Sequence, residues 1–303
     1  MTIVLGKPLY SNHPEENEKF LSSIPRFTYH KDFFPLSNGA RTDKNWGCCI
    51  RCGQSLLAQY ISRLYFGYKE AYMNVFTYTD SGFLELFYDL VNSPFSIHSF
   101  CREVINLGGS IGEWVKTSTI ARIIKRLLDP FSIPCVIAEN GMISRSQMRT
   151  SLESGLPVLL LVPLMLGPHK FEFQYLTYLK YALSMPRLTI GGIVGQQARA
   201  FFLVGYTKDD ILYYDPHITL NHIESKEDEH LLFEPKVNQI SPTKMNSSLL
   251  LGFIITSLEE VEQLRLSIDD SIICPLDIVD DILAESVPDM EMDKDLDDWD
   301  IVQ

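Results

Sequence analysis

The sequence predicts an α+β body, and three observations carry that prediction. A strong helical period runs through CCIRCGQSLLAQYISRLYFG at 48–67, where Ile50, Leu57, Ile61 and Leu64 recur at helical spacing and Gly67 supplies a stop. Apolar, β-rich runs gather later in the chain, so that one long early helix faces a late set of strands. The 303 residues are 46% hydrophobic, enough to fill a core and to exclude global disorder.

Taken in order, residues 1–45 read as irregular structure with short strands, because Pro8, Pro14, Pro25 and Pro35 interrupt any long helix. After the 48–67 helix, TSTIARIIKRLL at 117–128 predicts a second, with Thr117 or Ser118 as N-cap and apolar residues at 120, 123, 124, 127 and 128. PCVIA (134–138) and PVLLLVPL (157–164) read as buried strands, with a short helix in SRSQMRTSLESG between them. AFFLVGYT (200–207) and ILYYDPH (211–217) flank the polar turn KDD and form a hairpin. LLLGFIIT (249–256) is a further buried strand, followed by a helix from Leu258 to about Leu266. After Pro275 the composition turns acidic and predicts a mobile tail.

Charge and composition exclude several functions. Formal net charge is −13, which argues against nucleic-acid or anionic-membrane binding, since both need a basic surface. Residues 277–303 hold 11 of the acids and one base, so the rest of the chain is close to neutral. The start, MTIVLGKPLY, lacks the basic segment and long apolar stretch of a secretory signal. The most apolar run, LPVLLLVPLML at 156–166, is broken by Pro163 and falls short of the roughly 20 residues a spanning helix needs. The six cysteines are irregularly spread, so reduced thiols in the cytoplasm are expected.

Cys48 is the candidate nucleophile. It follows Trp46-Gly47 at the start of the first strong helix, where the helix dipole and exposed N–H groups stabilise a thiolate. By residue type alone, a buried inert cysteine fits as well. Cys49 and Cys52 form a CxxC, but no second pair of metal ligands follows, and Cys52 falls a turn inside an apolar helix; packing is the expected role, with no metal site. In Asp215-Pro216-His217, residues two apart on a strand project to one side, so the carboxylate could orient the imidazole. A turn bearing a surface histidine gives the same tripeptide. Gly191-Gly192-Ile193-Val194-Gly195 lacks the context of a phosphate loop and reads as a flexible loop, so no nucleotide cofactor is expected. Trp114, after three glycines and just before a helix, serves equally as a core aromatic or a cover over a cleft.

Together these segments resemble the autophagins, the cysteine proteases of autophagy. TDKNWGCCIRCGQSLLAQ (42–59) is similar to their nucleophile motif, IGEWVKTSTIARIIKRL (111–127) to their tryptophan-bearing segment, and FFLVGYTKDDILYYDPH (201–217) to their Asp-Pro-His hairpin. FTYHKDFFPL (27–36) and LLLGFIITSLEEVEQL (249–264) resemble two further family segments, in family order. The resemblance implies a papain-like fold with a small additional subdomain inside a catalytic domain of residues 1–276. It assigns Cys48 as nucleophile, His217 as base, Asp215 as its orienter and Tyr29 as an oxyanion-hole donor, with Trp114 and the loop around Gly195 gating the cleft. The implied substrate is a ubiquitin-like autophagy modifier, cut after its C-terminal glycine and also removed from phosphatidylethanolamine on membranes. A catalytically silent modifier-binding protein and a peptidase for another ubiquitin-like protein are the alternatives. Asn45, Gln196-Gln197, Phe201 and Leu220 depart from the family pattern, and bear on gating and modifier preference rather than reaction class.

The tail, 277–303, ends in DLDDWDIVQ, which resembles a modifier-interacting motif: an extended strand could add to a sheet edge with Trp299 and Val302 filling two apolar pockets. Asp295, Asp297 and Asp298 would favour a basic rim on the partner. Replacing Trp299 and Val302 by Ala is expected to weaken modifier binding and slow release from membranes, while cleavage of saturating soluble precursor changes little. Calorimetry on the 290–303 peptide checks this, and absence of binding at low salt removes the motif.

Overall fold

The computed structural model describes residues 1–67, 82–265 and 273–280. The first 45 residues hold more regular structure than their prolines suggest. β1 (Thr2–Val4) and β2 (Lys7–Leu9) pair antiparallel. Pro14 opens helix α1 (Pro14–Leu21) instead of breaking one, because a first-turn residue has no intrahelical use for its N–H. β3 (Tyr29–Lys31) follows, and α2 (Cys48–Phe66) is the helix expected from the 48–67 period. α3 (Ile97–Asn106) is capped by Ser96, whose Oγ accepts the Ser99 N–H. α4 (Thr117–Leu128) has Lys116 at its cap, not Thr117 or Ser118; Thr117 Oγ1 instead lies 2.9 Å from Ser248 Oγ.

The strands then assemble. β4 (Cys135–Ile137), β5 (Met142–Ser144), helix α5 (Arg145–Leu152) and β6 (Val158–Lys170) follow in sequence. α6 (Leu176–Ser184) leads into β7 (Thr189–Gln196), β8 (Arg199–Tyr206), β9 (Ile211–Tyr214), β10 (Thr219–Asn221) and β11 (Asn238–Ile240). β12 (Asn246–Ile255), α7 (Leu258–Leu264) and β13 (Asp277–Val279) complete the described chain. The central sheet runs β11-β9-β8-β7-β12-β6-β4, with the β1–β2 hairpin attached to β8. β6 continues through Pro163 because β4 pairs only with Leu159 to Leu161, which makes β6 an edge strand beyond that point.

Both faces of this sheet are covered, which explains why its strands read as apolar runs rather than as alternating patterns. Along β6, Leu159 and Leu161 enter the core shared with α2, α3 and α4, while Val158, Leu160 and Val162 enter the core shared with α5, α6 and α7. β12 divides likewise, Leu250 and Ile254 against Leu249, Leu251 and Phe253. α2 lies in the first of these cores and is buried from Cys48 to Arg63. Burial of Leu56, Leu57 and Ile61 contributes about 2 kcal/mol each. This is the expected α+β arrangement, a long helix against a later sheet, and it matches the papain-like expectation.

Three further expectations change. The Gly191–Gly195 segment is not a flexible loop but strand β7, paired with both β8 and β12. β9 ends at Tyr214, so Asp215 and His217 lie in the following loop and strand alternation does not align them. Residues 277–279 pair in parallel with β5, so ordered structure continues past the expected boundary at 276. Trp299, Val302 and the rest of the tail motif lie outside the described residues. Among the described residues, no helix is long and apolar enough to cross a membrane.

Candidate active site

The turn that delivers Cys48 is built on Asp43. Its main-chain carbonyl accepts the Trp46 N–H at 3.3 Å and the Gly47 N–H at 2.8 Å, and Asn45 takes a left-handed φ of 74° to close the turn. Gly47 is required by packing: a Cβ there would fall 2.6 Å from the Asp43 carboxylate. Cys48 is thereby the first residue of α2, and it is 1% exposed.

His217 arrives from the other side. Asp215 Oδ1 accepts its Nδ1–H at 2.5 Å and its backbone N–H at 3.0 Å, so one carboxylate oxygen fixes both ring and chain. The Tyr29 N–H donates to the Pro216 carbonyl at 2.8 Å, and β3 pairs in parallel with β10 from the Tyr29–Thr219 register onward. The imidazole contacts two aromatic rings edge-on, Tyr29 at a centroid separation of 5.3 Å and Phe201 at 5.5 Å. Phe201 therefore packs the imidazole, a role that its departure from the family pattern did not reveal. The loop geometry does what strand alternation was expected to do: it places a carboxylate on Nδ1 and leaves Nε2 buried without an aligned hydrogen bond.

The electrostatics join these groups. Burial pushes the Cys48 thiol up, but His217, the Ala200 backbone and Tyr29 outweigh it, and the thiol's pKa is lowered. Burial also opposes charge on His217, yet Asp215 and then Cys48 raise its pKa to about 9. Burial disfavours the Asp215 carboxylate too, but bonding to His217 holds it below its usual range. The lowered thiol and the raised imidazole together favour a thiolate–imidazolium pair of Cys48 and His217. Tyr29 is pushed well up by burial and then by Cys48, so its hydroxyl keeps its proton and can donate. Cys49 and Cys52 are fully buried and pushed far up, inert thiols suited to packing.

The remaining candidates divide. Trp114 is 42% exposed, in the segment leading to α4, and is therefore not a core aromatic. Gly195 is buried in β7 opposite Ala200, and the strand runs on to Gln196 opposite Arg199, so the β7–β8 turn lies at Gln197 and Ala198. An open recess of about 420 Å³ lies along the β3–β10 ribbon, lined by Lys31, Asp32, Arg41, Thr42, Lys44 and Thr219. The sequence reading missed a buried pair, His30 Nδ1 with Asp89 Oδ2 at 2.5 Å, because the partners stand 59 positions apart and no local spacing joins them. No group of three or more His, Cys, Asp or Glu among the described residues could hold a metal ion.

Residues 14–267 match the peptidase C54 catalytic domain. The chain is similar to cysteine protease ATG4B of Gallus gallus, at 28% identity over 304 residues, covering 85% of this chain and 77% of that protein. It is similar to cysteine protease ATG4A of Mus musculus at 28% identity, covering 82% and 73% of the two chains. Cysteine protease ATG4A of Homo sapiens is 26% identical over 291 residues, covering 78% and 71%.

The paired shifts define a pH window. The thiolate persists below an ordinary thiol's range, and His217 keeps its proton up to about 9, so the ion pair spans the interval between, with two coupled titration steps. Alkylation of Cys48 by iodoacetamide is expected to continue at mildly acidic pH, and turnover to fall as pH passes about 9. In His217→Ala the alkylation profile should move to higher pH. An unmoved profile would show that the imidazole does not control the thiol.

Proposed function

Since the chain belongs to the peptidase C54 family of cysteine proteases, we propose that it cuts a ubiquitin-like autophagy modifier after its C-terminal glycine and frees the modifier from phosphatidylethanolamine. The observation that carries this reading is the buried Cys48 thiol at a helix start, facing an imidazole whose far nitrogen is bound to Asp215 at 2.5 Å. In the proposed reaction the Cys48 thiolate attacks the glycine carbonyl carbon. The protonated Tyr29 hydroxyl and N–H groups at the start of α2 donate to the oxygen as it gains charge. His217 gives its proton to the departing amine as the C–N bond breaks, leaving a glycyl thioester on Cys48. His217, neutral again, takes a proton from water; the hydroxide displaces the thiolate and the modifier leaves as a carboxylate. Asp215 holds the ring and stabilises its charged form throughout.

Two further features support the substrate. Trp114 stands exposed where the resemblance expects a cover over a thin glycine strand, with the β7–β8 turn at Gln197 rather than Gly195 proposed as the opposing loop. Lys31, Arg41 and Lys44 gather in one recess on strands that carry Tyr29 and begin two residues after His217. In an acidic chain, such a recess suits the phosphate of a phosphatidylethanolamine leaving group. Residues 281–303 are proposed as an acidic tail that binds the modifier through Trp299 and Val302, and the enzyme is proposed to work in the cytoplasm. The polarised thiol disfavours a silent binding protein, which would need no such pair.

Incubation with modifier precursor, read by intact mass, tests the proposal. The wild-type chain should release a product ending in glycine. Cys48→Ala should release none, and His217→Ala should lose several orders of magnitude in turnover, with Asp215→Ala losing most of it. Full cleavage by Cys48→Ala would end the thiol-protease reading, and near-normal Asp215→Ala would remove Asp215 from it.

A further inference from the structure

The largest buried charge cluster among the described residues sits outside the Cys48–His217 pair but bonds to the Tyr29 strand, the Cys48 helix and the segment that follows His217. Asp43, Arg51 and Gln54 are 0% exposed, His30 is 1% and Asp89 2%. Asp43 Oδ2 accepts Arg51 Nε–H at 2.6 Å, and Arg51 Nη1–H reaches Asp89 Oδ1 at 2.9 Å and Gln54 Oε1 at 3.0 Å. Asp89 Oδ2 accepts from His30 Nδ1 and from the Ile223 N–H at 3.0 Å. Asp43 Oδ1 accepts the His30 N–H at 2.7 Å.

As a source of stability this is a poor choice. Withdrawing each ion from water is costly, and apolar residues of similar volume often serve as well. Its connections are more informative. His30 follows Tyr29 in β3. The Asp43 carbonyl holds Trp46 and Gly47, which precede Cys48, and Arg51 lies within the first turn of α2. Ile223 lies two residues beyond β10, which starts two residues after His217 and pairs with Tyr29. One residue, Asp43, therefore binds the Tyr29 strand through Oδ1, the Cys48 helix through Oδ2 and the Cys48 turn through its main-chain carbonyl, while Asp89 secures the segment that follows His217.

We infer that Asp43 is a positioning residue for the reaction, its carboxylate fixing the separation of the Tyr29 strand from the Cys48 helix, with Arg51 and Asp89 locking the segment beyond His217. This rests on the proposed reading of Cys48 and His217 as the reacting groups. The carboxylate is needed because two N–H donors, from His30 and Arg51, converge on its two oxygens. An asparagine amide has one acceptor oxygen and must turn its NH2 toward one of those donors. The released strand or helix end then shifts. Displacement of a reacting group by about 1 Å costs on the order of 100-fold in rate.

The test uses the full chain and modifier precursor. Asp43→Asn should lower kcat roughly 100-fold with KM changed less than about threefold, and should slow iodoacetamide alkylation of Cys48, in protein that circular dichroism shows folded at the assay temperature. Asp43→Asn/Arg51→Gln removes the ion pair together and leaves no stranded guanidinium, so it should fold and show the same kcat loss. Leu160→Ala, a cavity in the other core, should lower the melting temperature while its folded fraction keeps wild-type kcat. A folded Asp43→Asn with kcat within about twofold of wild type would overturn the inference, as would a matching kcat loss in Leu160→Ala. Failure of both Asp43 variants to fold would assign the cluster to stability and equally end it. Cys48→Ser, run alongside, separates the two levels. Wild-type cleavage by Cys48→Ser would refute the reading of the site, whereas an inactive Cys48→Ser beside a fully active Asp43→Asn refutes only the positioning role.

Discussion

Burial of α2 against the central sheet is the constraint on which the rest of the molecule depends. Sixteen consecutive residues of that helix, Cys48 to Arg63, are withdrawn from solvent, so neither its axis nor its starting point can drift without opening a core. Its first residue is a thiol, and it packs against β7 and β8, the hairpin next to the strand that leads into Asp215 and His217. A reactive group that must meet an imidazole from a distant part of the chain is thus placed by hydrophobic packing. Its chemistry is then tuned by local charge.

That tuning shows which force dominates where. Burial acts against every charge in the site, on Cys48, His217 and Asp215 alike, and alone would leave all three neutral. Mutual attraction, of Asp215 for His217 and of His217 for Cys48, reverses that tendency for each. Cys49 and Cys52 are as buried, and no cation reaches them, so burial decides and they remain thiols. The contrast between neighbouring cysteines on one helix separates the effect of the helix start from that of a particular partner.

Much of this was legible in the sequence, and the gaps have physical causes. Helices α2 and α4 and strands β6, β8 and β12 declared themselves because each buries a continuous apolar surface with its own period. The same reasoning misread Gly191–Gly195: glycine-rich segments resemble loops, but here Gly192 lies where a Cβ would come within 2.7 Å of the Leu250 carbonyl, and the strand needs the small residue to approach β12. In the Asp-Pro-His tripeptide the carboxylate does meet the imidazole, but through a loop bond from Asp215 Oδ1 and not through strand alternation, because β9 ends at Tyr214. The Asp43–Arg51–Asp89–His30 cluster had no signature, because its members come from separate segments joined only by folding.

The central claim is that one thiol of the six forms the covalent bond to substrate. A ubiquitin-like modifier carrying an electrophile in place of its terminal glycine carboxylate, incubated with the native chain and followed by tandem mass spectrometry of the digest, measures that directly. The account predicts a single adduct, on Cys48, lost in His217→Ala at neutral pH, with Cys49 and Cys52 unmodified. An adduct on any other cysteine, or an unchanged yield without His217, would contradict it.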